Sequence, residues 1–159
     1  MHQIVTQMDI AASPERVWSI LMDFSAYPQW NPFIRSLSGV AKPGEKLRVT
    51  IQPEEHRAMT FRPRVLTATN QQELRWLGRL GFPGLFDGEH YFQLAVLSNG
   101  STRVTQGERF SGVLVGLFLA RMETATKAGF DAMNRALKDR AEAKATIDQN
   151  HHDLSEGPH

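Results

Sequence analysis

The stretch Ser13-Pro14-Glu15-Arg16-Val17-Trp18-Ser19-Ile20-Leu21-Met22-Asp23-Phe24-Ser25-Ala26-Tyr27-Pro28-Gln29-Trp30-Asn31-Pro32-Phe33 decides how the rest of the chain is read. Ser13 suits a helix N-cap, and Pro14 suits the first helical position, where its missing N–H costs nothing. Val17, Trp18 and Leu21 then share one helical face. The helix must stop near Asp23, because Ser25–Pro28 reads as a turn and a residue before proline avoids the α region. Tyr27 and Trp30 belong to a second short turn, and Asn31-Pro32 leads into extended chain. This is too much apolar surface for a linker and too many prolines for one continuous helix. Something must lie beneath it.

Working outward, Ile4, Thr6, Met8 and Ile10 alternate with Val5, Gln7, Asp9 and Ala11, the period-2 pattern of a strand with one better-buried face. After Phe33 the texture is β to about residue 112. Ile34–Val40 reads as a strand, and Leu47, Val49 and Ile51 mark the next. Met59, Phe61, Pro63 and Val65 form a run whose internal proline suggests an edge or a bulge. Leu74, Trp76, Gly78 and Leu80 follow, then the apolar loop 81–88. His90, Phe92, Leu94 and Val96 face one way on the next strand. Asn99-Gly100 is a strong hairpin turn. The last strand carries Thr102, Val104, Gln106, Glu108 and Phe110 on its inner side. From Gly112 to about Ala145 the period changes, and Leu114, Phe118, Met122, Ala125, Gly129, Met133, Ala136 and Leu137 trace the apolar stripe of a long helix.

Hairpins without intervening helices argue an antiparallel meander. The expected fold is α+β: a curved antiparallel sheet of about six to seven strands around a long C-terminal helix, with two short helices after the first strand. Residues 1–145 read as one domain and 146–159 as a disordered tail. A length of 159 residues allows roughly 68–70% of the unfolded surface to be buried, so one core suffices. With no cysteine, disulfides and thiolate metal sites are excluded. A net charge of +1 implies no field for nucleic acid. No apolar run approaches the ~20 residues of a membrane span, and no signal peptide is evident. A cytoplasmic location without stable membrane insertion is expected.

Ser13–Trp18, Asp23-Phe24, Tyr27–Phe33, Gly88–Phe92, Gly100–Gln106 and Glu108–Gly112, in this order of elements, resemble the SRPBCC superfamily. That is the START/Bet v 1-like helix-grip fold, and the likeness is strongest to polyketide cyclase/dehydrase-type bacterial members. It covers roughly residues 3 to 141. The resemblance implies an internal cavity between sheet and helix. It leaves function open, since the superfamily holds lipid carriers, hormone and flavonoid binders and aromatase/cyclases.

Trp30, Phe33, Phe61, Val65, Trp76, Gly78, Phe92, Leu94, Val104, Phe110, Phe118, Met122, Gly129 and Met133 are the expected lining of that cavity. Core packing alone also explains any one of them. Gly78 and Gly129 strengthen the set, because they remove side chains where a filled core would want them. The mouth is expected between Trp30–Phe33, the loop 82–86 and the start of the long helix. His90 and Glu108 fall nearly opposite one another across the Asn99-Gly100 hairpin, with Gln106 beside them. They could bind a ligand hydroxyl or carbonyl, act as general base and acid, or simply satisfy each other. Arg62, Arg64, Arg75 and Arg79 read as a solvated basic band. His151, His152, Asp153 and His159 give at best a weak metal site. The leading expectation is binding of a small hydrophobic molecule, lipid-like or polyketide-like, without a metal or other cofactor. A cofactor-independent cyclase, dehydratase or hydrolase is the alternative. A homodimer or partner-binding protein using the sheet surface is a third reading.

Overall fold

In a computed structural model the described residues are 1–153 for the backbone and 1–143 for the side chains. The elements are β1 (His2–Ile10), α1 (Pro14–Met22), a single 3-10 turn (Phe24–Ala26), α2 (Tyr27–Trp30), β2 (Ile34–Ser38), β3 (Arg48–Ile51), β4 (Met59–Phe61), β5 (Arg64–Thr69), β6 (Glu73–Leu80), β7 (Phe86–Val96), β8 (Thr102–Ser111) and α3 (Val115–Asp153). The expectations for the tail, 146–159, and for His151, His152, Asp153 and His159 as ligands lie outside the residues described in full. Ser13 caps α1 as expected, its hydroxyl accepting from Arg16 N at 3.2 Å. Val17, Trp18 and Leu21 are buried.

The β-structure is antiparallel and curved, and it folds around α3 in the helix-grip manner. Its five-stranded part has the order β1-β8-β7-β6-β5, and β2-β3-β4 form a second hydrogen-bonded set. The run from Met59 to Leu66, read above as one strand, is two. Pro63 has no N–H to give a ladder, and the chain changes partners there. Phe61 pairs with Val49, whereas Arg64 pairs with Leu77. Leu47 N donates to Pro63 O (2.9 Å) and Val65 N to Glu45 O (2.8 Å), so the two sets stay joined.

Tyr27 anchors the interrupted helical stretch. It is fully buried and its hydroxyl donates to Leu21 O at 2.7 Å. Burial pushes its phenol well above the ordinary range. Asn31 is also fully buried, and its Oδ1 accepts from Phe33 N (3.0 Å) and Ile34 N (2.8 Å), the Asx turn expected before Pro32.

The buried face of α3 is displaced by about one residue from the expected stripe over much of its length. Val115, Thr126, Phe130, Met133, Asn134, Leu137 and Ala141 are buried, whereas Phe118 is exposed. The polar members explain the shift. Asn134 Nδ2 donates to Thr6 Oγ1 at 2.8 Å, so a residue that reads as a surface position is tied into the core. The C-terminal half of the described helix thereby lies tight on β1. Its N-terminal turns bury Val115 but carry exposed Leu117 and Phe118, the latter reaching only Phe86 at the edge of β7. Sheet and helix enclose a wedge.

Candidate functional site

The wide end of that wedge holds an apolar cavity, with about 90 Å³ open to the centre of a water molecule. One water needs ~10–15 Å³ on this measure, so there is room for several waters or for a ligand built on one aromatic ring. Its floor is the inner face of β6, β7 and β8. Gly78 and Gly88 are direct partners across β6 and β7, and Gly88 in turn opposes Phe110. A Cβ added at Gly78 would meet only Gly88 O at 3.8 Å and Pro63 Cβ at 3.9 Å, ordinary contacts that leave room for it. At Gly88 a Cβ would fall 2.6 Å from Glu108 Oε1. That glycine lets the carboxylate lie across the strand.

Val49, Ile51, Phe61 and Pro63 form one wall, Phe33, Met122 and Thr126 the roof, and Leu80, Arg79 and Phe86 the rim. Of the expected lining residues, Phe33, Phe61, Trp76, Gly78, His90, Glu108, Phe110 and Met122 come together here. Val65, Phe92, Leu94, Val104, Gln106 and Met133 instead pack in the filled core, because α3 lies close to the sheet at their end. Phe118 sits outside against Phe86 (ring centroids 6.2 Å apart). Trp30 packs on Tyr27 at 5.1 Å, and the Asn31 Asx turn holds it off the rim.

Gly129 does not supply space. A Cβ there would lie 2.3 Å from the Phe33 ring, so the missing side chain is replaced by a neighbour's. Beyond that ring lies a larger but open groove of about 550 Å³, bordered by Arg35, Gln52, Glu54, Glu55 and Arg135. It is solvent-facing, with Pro32, Pro53, Ala128 and Ala132 among its charged rim residues. Gly88 and Thr126 escaped the reading of the sequence, although both follow its periods: Gly88 precedes His90 and Phe92 at spacing two, and Thr126 follows Met122 at spacing four.

The polar groups of the cavity are arranged in a line. His90 and Glu108 are register partners, as the hairpin arithmetic requires. The His90 ring is buried, stacked on Trp76 (4.8 Å, 16° between planes) and edge-on to Phe130. Its Nδ1 faces Glu108 Oε2 at 3.5 Å, and its Nε2 faces Gln106 Nε2 at 3.4 Å. Neither ring nitrogen is left for the cavity. Glu108 Oε1 is, and among the described residues no donor meets it. Arg79 is the sole cation among the described lining residues, and it faces Asp87 at 3.7 Å. Of the expected basic band, Arg62, Arg64 and Arg79 are exposed, and Arg75 is the exception. Arg75 is mostly buried, bound to Glu73 and Glu89, and stacked 4.6 Å over the Tyr91 ring. Among the described residues no cluster of metal-ligating side chains occurs, and no helix is long and apolar enough to cross a membrane.

A family model described as "Polyketide cyclase / dehydrase and lipid transport" matches residues 1–142. Solved structures share the fold. A START superfamily protein from Mycobacterium smegmatis superposes with a TM-score of 0.69 at 23% identity, covering 90% of this chain and 99% of that one. The Zhui aromatase/cyclase from Streptomyces sp. R1128 gives 0.73 at 14% identity, covering 91% and 95%. A protein from Thermus thermophilus gives 0.70 at 16% identity, covering 90% and 99%. No curated protein matches in sequence.

Proposed function

We propose, from the premise that this chain belongs to the polyketide cyclase/dehydrase and lipid transport family, that it binds a small hydrophobic molecule between β6–β8 and α3. The observation that carries the reading is the apolar cavity over Gly78, where a side chain would fit and none is present. A strand interior gains packing from almost any residue larger than glycine, so a glycine at Gly78 with room for a side chain, beside an apolar cavity, favours occupancy by something else. Native mass spectrometry of the purified protein and displacement of a hydrophobic dye test it. A co-purified or exchangeable apolar molecule is expected; a protein that neither carries nor exchanges one contradicts the reading.

One observation favours a catalytic second reading. Glu108 presents an oxygen to the cavity with His90 behind it, the arrangement of a carboxylate base held by an imidazole. Cyclisation or dehydration of a carbonyl compound would then use Glu108 as the proton acceptor. Incubation with a poly-β-ketone substrate mimic tests it: cyclised product with the native chain and none with Glu108→Gln is expected, and equal turnover contradicts it.

A further inference from the structure

We infer that the cavity selects for a neutral ligand carrying a hydroxyl or N–H donor, and that Glu108 Oε1 is the atom that recognises it. This rests on the proposed binding function and adds the class of ligand. The argument begins with what His90 is doing. Both of its nitrogens are engaged inside the protein, one toward Glu108 and one toward Gln106, and its ring is clamped by Trp76 and Phe130. His90 is thus a positioning residue, its Nδ1 lying 3.5 Å from Oε2 of the carboxylate. Oε1 is left over the Gly88 backbone, where any other residue would crowd it. An acceptor without a donor, set in a wall of Trp76, Phe86, Phe110 and Met122, is the complement of a hydroxyl or N–H on an otherwise apolar body.

The same geometry discriminates against anions. Carboxylate and phosphate ligands need a cation or a cluster of donors, and Arg79 at the rim already faces Asp87. A fatty acid or a phosphorylated headgroup would bring like charge to Glu108 in an apolar enclosure, where such charge is costly. The small volume points the same way, toward a compact phenol-like or alcohol-like molecule.

Calorimetric titration of the native chain with 4-ethylphenol, ethylbenzene and 4-ethylbenzoate at neutral pH tests this. A hydrogen bond to a charged group gives about tenfold or more in affinity, so the phenol should exceed ethylbenzene by at least that factor, and the benzoate should bind most weakly. Glu108→Gln should narrow the phenol-to-ethylbenzene ratio to about threefold or less. Gly78→Val should abolish binding of all three. Equal affinities for phenol and ethylbenzene, or a preference for the benzoate, would overturn the inference and leave the cavity function standing. Failure of all three to bind the native chain, or indifference to Gly78→Val, would overturn the cavity function and this inference with it.

Discussion

Two regions on the inner face of one sheet differ in what lies above them. Toward the Asn99-Gly100 end, Phe92, Leu94, Val104 and Gln106 meet Phe130, Met133 and Leu137 of α3 with no space left. Toward the opposite end, Gly78, Gly88, Glu108 and Phe110 face a void. Both ends alternate in the same way along the same strands. The helix makes the difference: Asn134 ties it to Thr6 of β1 at the filled end, whereas at the other end its Leu117 and Phe118 are exposed and Met122 and Thr126 roof the void. A grip fold therefore separates its stability from its binding capacity along one axis.

That division can be broken most forcefully at the filled end. Phe130 is fully buried and touches both Phe33 and His90 edge-on, so Phe130→Ala should cost about 3–5 kcal/mol in chemical denaturation. Met122→Ala, on a half-buried side chain over the void, should cost less than half as much. Comparable losses at the two sites would mean that the ends are equally packed.

The two glycines that look alike in the sequence sharpen the contrast. Gly129→Ala drives a methyl into the Phe33 ring, and overpacking costs of about 1–3 kcal/mol outweigh the ~1 kcal/mol gained in helix propensity. A net loss of stability is expected, against the usual sign for glycine to alanine in a helix. Gly78→Ala should be neutral within about 0.5 kcal/mol, since its methyl displaces nothing and makes only ordinary contacts at 3.8 and 3.9 Å.

Tyr27 gives a smaller effect, with a sign set by burial. Tyr27→Phe should lose about 0.5–1.5 kcal/mol with the bond to Leu21 O. Its folded pKa is raised above the ordinary value of 10.0, so the unfolded chain releases its proton first as pH rises. This contribution is intact below that value and declines above it. Unfolding midpoints measured from pH 8 upward should fall in the native chain more steeply than in the phenylalanine variant; parallel profiles would contradict the assignment.

Much of this was legible in the residues. Ser13-Pro14 marked the helix start, Asn31-Pro32 the Asx turn, and Asn99-Gly100 fixed the register that sets His90 opposite Glu108. Period-2 alternation identified the inner face correctly, because a strand has only two faces. It could not say where along that face the helix would lift away, which depends on Asn134 reaching Thr6 from another element. The same ignorance misread Gly129: spacing showed a missing side chain, but only the fold shows that Phe33 fills the place. Pro63 was flagged as an irregularity, and the sheet resolves it as a change of partners.

The central claim is that the void over Gly78, beside Glu108, is kept open for a ligand. Calorimetric titration of 4-ethylphenol into the native chain and into Gly78→Val, with unfolding midpoints recorded on both, tests it most directly. The account predicts saturable binding to the native chain, none to the variant, and closely similar midpoints. Equal binding by both proteins would place the ligand elsewhere and contradict it.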